Sequence, residues 1–110
     1  MEELIHSIKY KIVNINLNQQ PMYSHNLYKD VHLFIKVIRL KMPKNIYNIK
    51  EILYELNGIK FLLETRMLDF PDYESLENIH ELIVCTIITL NNILDSLLEN
   101  NFRSGHKTRI

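Results

Sequence analysis

The stretch LENIHELIVCTIITLNNILDSLL, residues 76–98, decides the fold. Leu76, Ile83, Ile87, Leu90, Leu94 and Leu97 fall at alternating four- and three-residue steps once His80 is counted in the one place left open. That spacing keeps one face of an α-helix apolar. Ile79, Leu82 and Ile93 widen the face, so the helix needs cover on more than one side. Asp72 after Pro71 is a candidate N-cap, and Glu74 and Glu77 put negative charge where a helix N-terminus favours it. The pattern predicts a helix over 72–100.

Outward from this segment the chain has little punctuation. Pro21, Pro43 and Pro71 cut it into four pieces, and Gly58 is the only glycine before the last ten residues. A β-rich fold of this length needs many turn signals, so a few long helices are expected instead. In NIYNIKEILYELNGIKFLLETRML the stripe is Ile46, Ile49, Leu53, Leu56, Ile59 and Leu63, predicting a helix over 44–67. Gly58 inside it costs roughly 1 kcal/mol against alanine and favours close packing over a bend. SHNLYKDVHLFIKVIRLKM predicts a helix over 24–42, with Ser24 as cap and Leu27, Val31, Phe34, Ile35 and Ile38 buried. The first piece has Leu4, Ile5, Ile8, Ile12 and Ile15 at helical spacing, although KYKIVNINL also alternates like a strand. A lone strand has nothing to pair with, so a helix over 2–16 is favoured. If it were a strand, pairing between subunits would be expected.

The expected architecture is all-α, a small antiparallel bundle of three to four helices forming a single domain over 1–100. A basic tail, 101–110, is expected to be frayed or flexible. The 110 residues are enough for one modest core. With 46% hydrophobic and 24% charged residues the composition is that of a folded globular protein, which argues against disorder and fibrous classes. Cys85 stands alone, so no intramolecular disulfide can form, and its apolar setting reads as a buried structural thiol. No signal-peptide pattern and no long uninterrupted apolar run is visible, so a soluble, cytoplasmic protein without a membrane partner is expected.

Catalytic signatures are weak. Glu3-Leu-Ile-His6 and Glu77-Asn-Ile-His80 each set a carboxylate and an imidazole on one helical face, the spacing used in dimetal bundles. Glu51 or Glu55 could add a ligand, but the second helix offers only Asp30, and the first pair sits at a chain end. A hydrogen-bonded core His80 is favoured over a Glu77/His80 metal site, and no cofactor is expected. Cys85 and His80 are five residues apart with no third partner for a nucleophile triad, and one interior glycine cannot build a phosphate-cradling loop. Arg103 and His106 form no helical ribonuclease pattern. A non-enzymatic protein is expected.

Charge is unevenly placed. Residues 1–50 hold eight Lys/Arg against three Asp/Glu, residues 51–100 hold two against ten, and the last ten residues add three, which gives +5, −8 and +3. The zero net charge conceals this division. If the second and third helices were neighbours, part of it would be internal complementarity. On the second helix His25, Lys29, His32, Lys36 and Arg39 form a basic stripe beside Tyr28. Together with Lys9, Lys11, Arg103, Lys107 and Arg109 it could hold phosphates, with tyrosine stacking on bases.

ELNGIKFLLETRMLDF followed by YESLENIHELIVCTIITLNNILDSL resembles the last two helices of small four-helix-bundle proteins, among them accessory proteins of diversity-generating retroelements. That resemblance implies a basic oligomer binding RNA and a reverse transcriptase, from which the acidity of this half departs. The expected function is a helical interaction or adaptor protein that self-associates or binds a protein partner, through Ile79, Leu82, Thr86 and Ile93. The alternative is a small accessory binder of RNA or DNA using Lys29, His32, Lys36, Arg39 and the tail residues Arg103, Lys107 and Arg109.

Overall fold

The computed structural model describes residues 2–15, 21–41, 45–70 and 74–107, with the side chains of 21–25, 74–75 and 101–107 outside that description. Among the described residues it is an all-α bundle of four helices, 94% helical. They are α1 (Glu2–Val13), α2 (Pro21–Leu40), α3 (Ile46–Asp69) and α4 (Glu74–Lys107). The first piece is helix, and no strand occurs among the described residues. It ends early because Asn14 folds back, its side-chain amide donating to the Tyr10 carbonyl at 2.8 Å. α2 starts at Pro21, so Ser24 lies within the helix and does not cap it. A proline in the first turn sacrifices no intrahelical bond. Asn45 caps α3, its side-chain oxygen accepting from the Tyr47 amide at 2.7 Å, while Asp72 lies outside the described residues.

The expected end of the last helix at 100 is corrected: helical backbone continues through 101–107, and 108–110 lie outside the described residues. Nothing between residues 74 and 107 stops a helix, since proline is absent and a single glycine only weakens it.

The helices are arranged as two hairpins laid together. α1 packs on α2 and α3 on α4, while across the join α1 meets α3 and α2 meets α4. Lys9 with Glu55, and Arg66 with Ile12, show α1 and α3 running in the same direction. Among the described residues α2 and α3 sit on the diagonal with no close backbone approach, so the charge complementarity that would follow from their being neighbours is not how this bundle is built.

Periodicity located most of the core, Ile79 being an addition to it, while Leu4, Ile5, Ile46, Leu94 and Leu97 of the predicted stripes are only half-buried. Ile8, Ile12, Leu27, Val31, Phe34, Ile49, Leu56, Ile59, Leu63, Leu76, Ile79 and Ile83 are fully or almost fully buried. α4 is the longest element, with 34 residues against 12 in α1, so its far end outruns the bundle. The molecule is accordingly a rod, 65 by 24 by 16 Å.

Within α4, Leu76–Asn100 is long and apolar enough to cross a bilayer by length and composition, with a mean hydropathy of 1.5. The core helix of a soluble bundle passes the same test, and this one supplies Leu76, Ile79, Ile83, Ile87 and Leu90 to the core. Only 17% of its most apolar window is buried, so much of it faces outward.

Candidate interaction groove between α2 and α4

The two residue sets expected to mark separate sites meet in one place. The outer edges of α2 and α4 enclose an open groove of about 410 Å³. Its α2 wall carries His32, Leu33, Lys36 and Arg39, and its α4 wall carries Leu82, Cys85, Thr86, Thr89 and Ile93. Leu82, Thr86 and Ile93 thus line the same groove as His32, Lys36 and Arg39. Lys29 is exposed on the outer side of α2, close to that rim but outside the lining. Ile79 is a correction: it is fully buried, because its position on the helical wheel turns it into the core. Arg103 and Lys107 lie on helical backbone beyond the bundle, with side chains outside the described set, as is the whole of Arg109.

Local chemistry makes the floor apolar. Thr86 donates its hydroxyl to the Leu82 carbonyl at 2.8 Å, and Thr89 donates to the Cys85 carbonyl at 3.0 Å. Both polar groups are thereby satisfied within the helix. Cys85 corrects the buried-thiol reading: it is exposed, because it lies on the flank of α4 that α2 leaves uncovered. Leu33 is 51% exposed and stands on the opposite wall. At the near end Tyr28 and His32 brace each other, Oη to Nε2 at 3.2 Å with ring centroids 4.9 Å apart. No carboxylate is among the groove's lining residues, and the acidic Glu81 stands in the adjoining hollow formed with Tyr28, Leu82 and Cys85.

The other basic residues of the first helix have internal roles. Lys9 pairs with Glu55 at 2.7 Å, and Lys11 with Asp30 at 2.5 Å, where the Ser7 hydroxyl also donates. These two lysines therefore belong to the seams of the bundle. Arg66 was missed by sequence reasoning: its Nε donates to the Ile12 carbonyl at 3.2 Å and its terminal nitrogen to that of Val13. It thereby satisfies the end of a helix more than fifty residues away, a pairing no local pattern signals.

His80 is not a sealed core residue. It is half-buried at the α3/α4 seam, and its Nε2 donates to Glu64 Oε1 at 3.1 Å. That hydrogen bond is the main cause that lowers the Glu64 carboxyl from its ordinary value; burial, next in size, opposes it, and the charge of Lys60 adds a smaller lowering effect. Glu77 is exposed, as are Glu3 and His6 at the start of α1. Among the described residues no three His, Cys, Asp or Glu side chains converge as a metal site would require.

A second surface feature went unread in the sequence although its signal was there. Tyr47, Tyr54, Phe61 and Leu68 recur every seven residues on α3, and all four are exposed. Searching only for the core stripe passes over them. Glu51 raises the Tyr47 phenol above its ordinary value, through a side-chain hydrogen bond first and its charge second.

Comparison with family models, curated proteins and solved structures finds no match to this chain. The likeness of α3 and α4 to retroelement accessory bundles gains nothing from these comparisons, so function rests on the surface alone.

Proposed function

We propose that the protein is a non-enzymatic interaction module whose α2/α4 groove receives an amphipathic helix of a protein partner, with acidic residues along one edge. The observation that carries this reading is an apolar floor beside a rim of His32, Lys36 and Arg39 with no acidic residue in the lining. A helix laid in a groove anchors through apolar side chains at helical spacing. Complementary charge at the rim sets register and speeds encounter. A nucleic acid would use the same cations, yet it gains little from Leu33, Leu82 and Ile93, and the apolar floor is the larger part of the groove.

The test sets two ligands against two variants. Calorimetric titration would compare a synthetic amphipathic Leu/Glu helical peptide with a single-stranded oligonucleotide. The peptide is expected to bind the native protein, to lose binding with Leu33→Glu, and to bind Lys36→Glu more weakly with a shallower salt dependence. Oligonucleotide binding that Lys36→Glu abolishes and Leu33→Glu leaves intact would replace this reading with the nucleic-acid one.

A further inference from the structure

The outward side of α3 carries Tyr47, Tyr54, Phe61 and Leu68, exposed by 66, 76, 67 and 83%. They form a ridge about 31 Å long at 1.5 Å per residue. It lies opposite Ile49, Leu53, Leu56, Ile59 and Leu63, which already give α3 its place in the core. Among the described residues the core makes no use of the ridge. A seven-residue repeat drifts by roughly 20° per heptad on a straight helix, which is the drift that a left-handed helix pair absorbs.

The two halves of the ridge differ in shape. Tyr47 and Tyr54 border a hollow of about 480 Å³ floored by Ile5 and Ile52, with Lys50 and Glu51 beside it. Phe61 and Leu68 lie outside that lining and project from the helix with nothing of the described core over them. We propose that this ridge is a homodimer face, on which α3 of a second copy lies antiparallel about a two-fold axis passing between residues 57 and 58. Phe61 and Leu68 of each copy then meet the Tyr47–Tyr54 half of the other, projections against hollow. Parallel pairing would set hollow against hollow.

Charge agrees with that direction. Helical geometry puts Lys50 and Glu64 on the same flank of the ridge, and reversal brings Lys50 of one copy within one residue's rise of Glu64 of the other. The two-fold axis makes that pairing occur twice. Antiparallel neighbours also oppose their helix dipoles. With a formal net charge of zero, two copies approach without overall repulsion. The ridge supplies its own counterpart in both shape and charge, which singles out a second copy as occupant. A contact one helix wide is small beside the roughly 800 Å² per partner of a standard interface, so the dimer forms and separates with concentration.

This inference stands apart from the occupant of the groove, which opens between two other helix edges. Sedimentation velocity over a concentration series of the full chain tests it. The native protein is expected to rise from monomer towards twice the monomer mass. Tyr54→Glu combined with Phe61→Glu should weaken association by about tenfold or more, since it removes two central aromatic anchors. Helical circular dichroism should persist in that variant, because both side chains are exposed. If it does not, Tyr54→Ser with Phe61→Ser replaces it with the same expected loss. Leu33→Glu, in the groove, should still dimerise. A native protein that stays monomeric at every concentration overturns the inference, and so does a ridge variant that associates like the native chain. Association lost in Leu33→Glu and kept in the ridge variant would overturn it too, placing self-association in the groove.

Discussion

α4 has a neighbour on each side, and the two seams are built in different ways. Towards α3, His80 reaches Glu64 at 3.1 Å, with Lys60 a further 3.5 Å from the same carboxylate oxygen. Towards α2, the α4 wall is made of Cys85, Thr86 and Thr89 with Leu82 and Ile93, and about 410 Å³ stays open. Side-chain length makes the difference. Short residues on one flank of a helix that is long-chained elsewhere leave a gap that no rearrangement of the same residues fills. One apolar helix can thus seal a fold on one side and leave a receptive surface on the other.

Truncation offers the sharpest way to break that comparison. Ile83 is fully buried, and Ile83→Ala should cost about 2–5 kcal/mol through lost burial and the cavity left behind. Ile93 lines the groove and is half-buried, so Ile93→Ala should cost only about 1 kcal/mol. Urea unfolding of both variants decides the matter. Equal losses would mean that the groove is in fact packed shut.

The α1/α3 seam allows a gain. A methyl group added at Gly58 would meet Lys9 Nζ and Cε at 3.7 and 3.8 Å, which is ordinary van der Waals contact. Gly58→Ala should therefore raise stability by about 0.5–1 kcal/mol through helix propensity and a stiffer unfolded chain. A lower denaturation midpoint would show that the helices need the bare backbone there.

The smallest effect concerns pH. Because the folded Glu64 carboxyl titrates below its unfolded value, its contribution is complete above the usual carboxylate range. It is lost as pH falls through the folded value. Glu64→Gln should be slightly less stable than the native chain at neutral pH, with the difference closing in acid. Urea midpoints at pH 7 and near pH 3 measure it, and an equal difference at both would remove the seam's titratable element.

Helical periodicity made the core legible, down to Leu27, Val31, Phe34, Ile35 and Ile38 on α2, because burial on one face writes itself as a three-and-four spacing. The candidate residues were legible too, but not their meeting. Lys36 and Arg39 read as a basic stripe and Leu82 and Ile93 as a separate apolar face, since sequence does not say that α2 lies beside α4 and diagonal to α3. Cys85 misled for the same reason: its neighbours in the chain are apolar, while its flank of the helix is uncovered. The α3 ridge was fully written at Tyr47, Tyr54, Phe61 and Leu68, as a repeat of seven on the side away from the core.

Arg66 carries a consequence for how the chain assembles. Its bond to the Ile12 carbonyl spans 54 residues of sequence, whereas Glu64 and His80 meet across 16. Closing the longer loop costs about 1 kcal/mol more in chain entropy if the cost rises as three-halves RT times the logarithm of loop length. The contacts within each hairpin, Glu64 with His80 and Lys11 with Asp30 across 19 residues, are therefore the kinetically accessible ones, and the Arg66 bond that joins the hairpins is expected later. α1, with only 12 residues, is too short to persist alone and becomes ordered when it docks. Arg66, donating from α3 to the carbonyls at the end of α1, is thus a latch between the two hairpins.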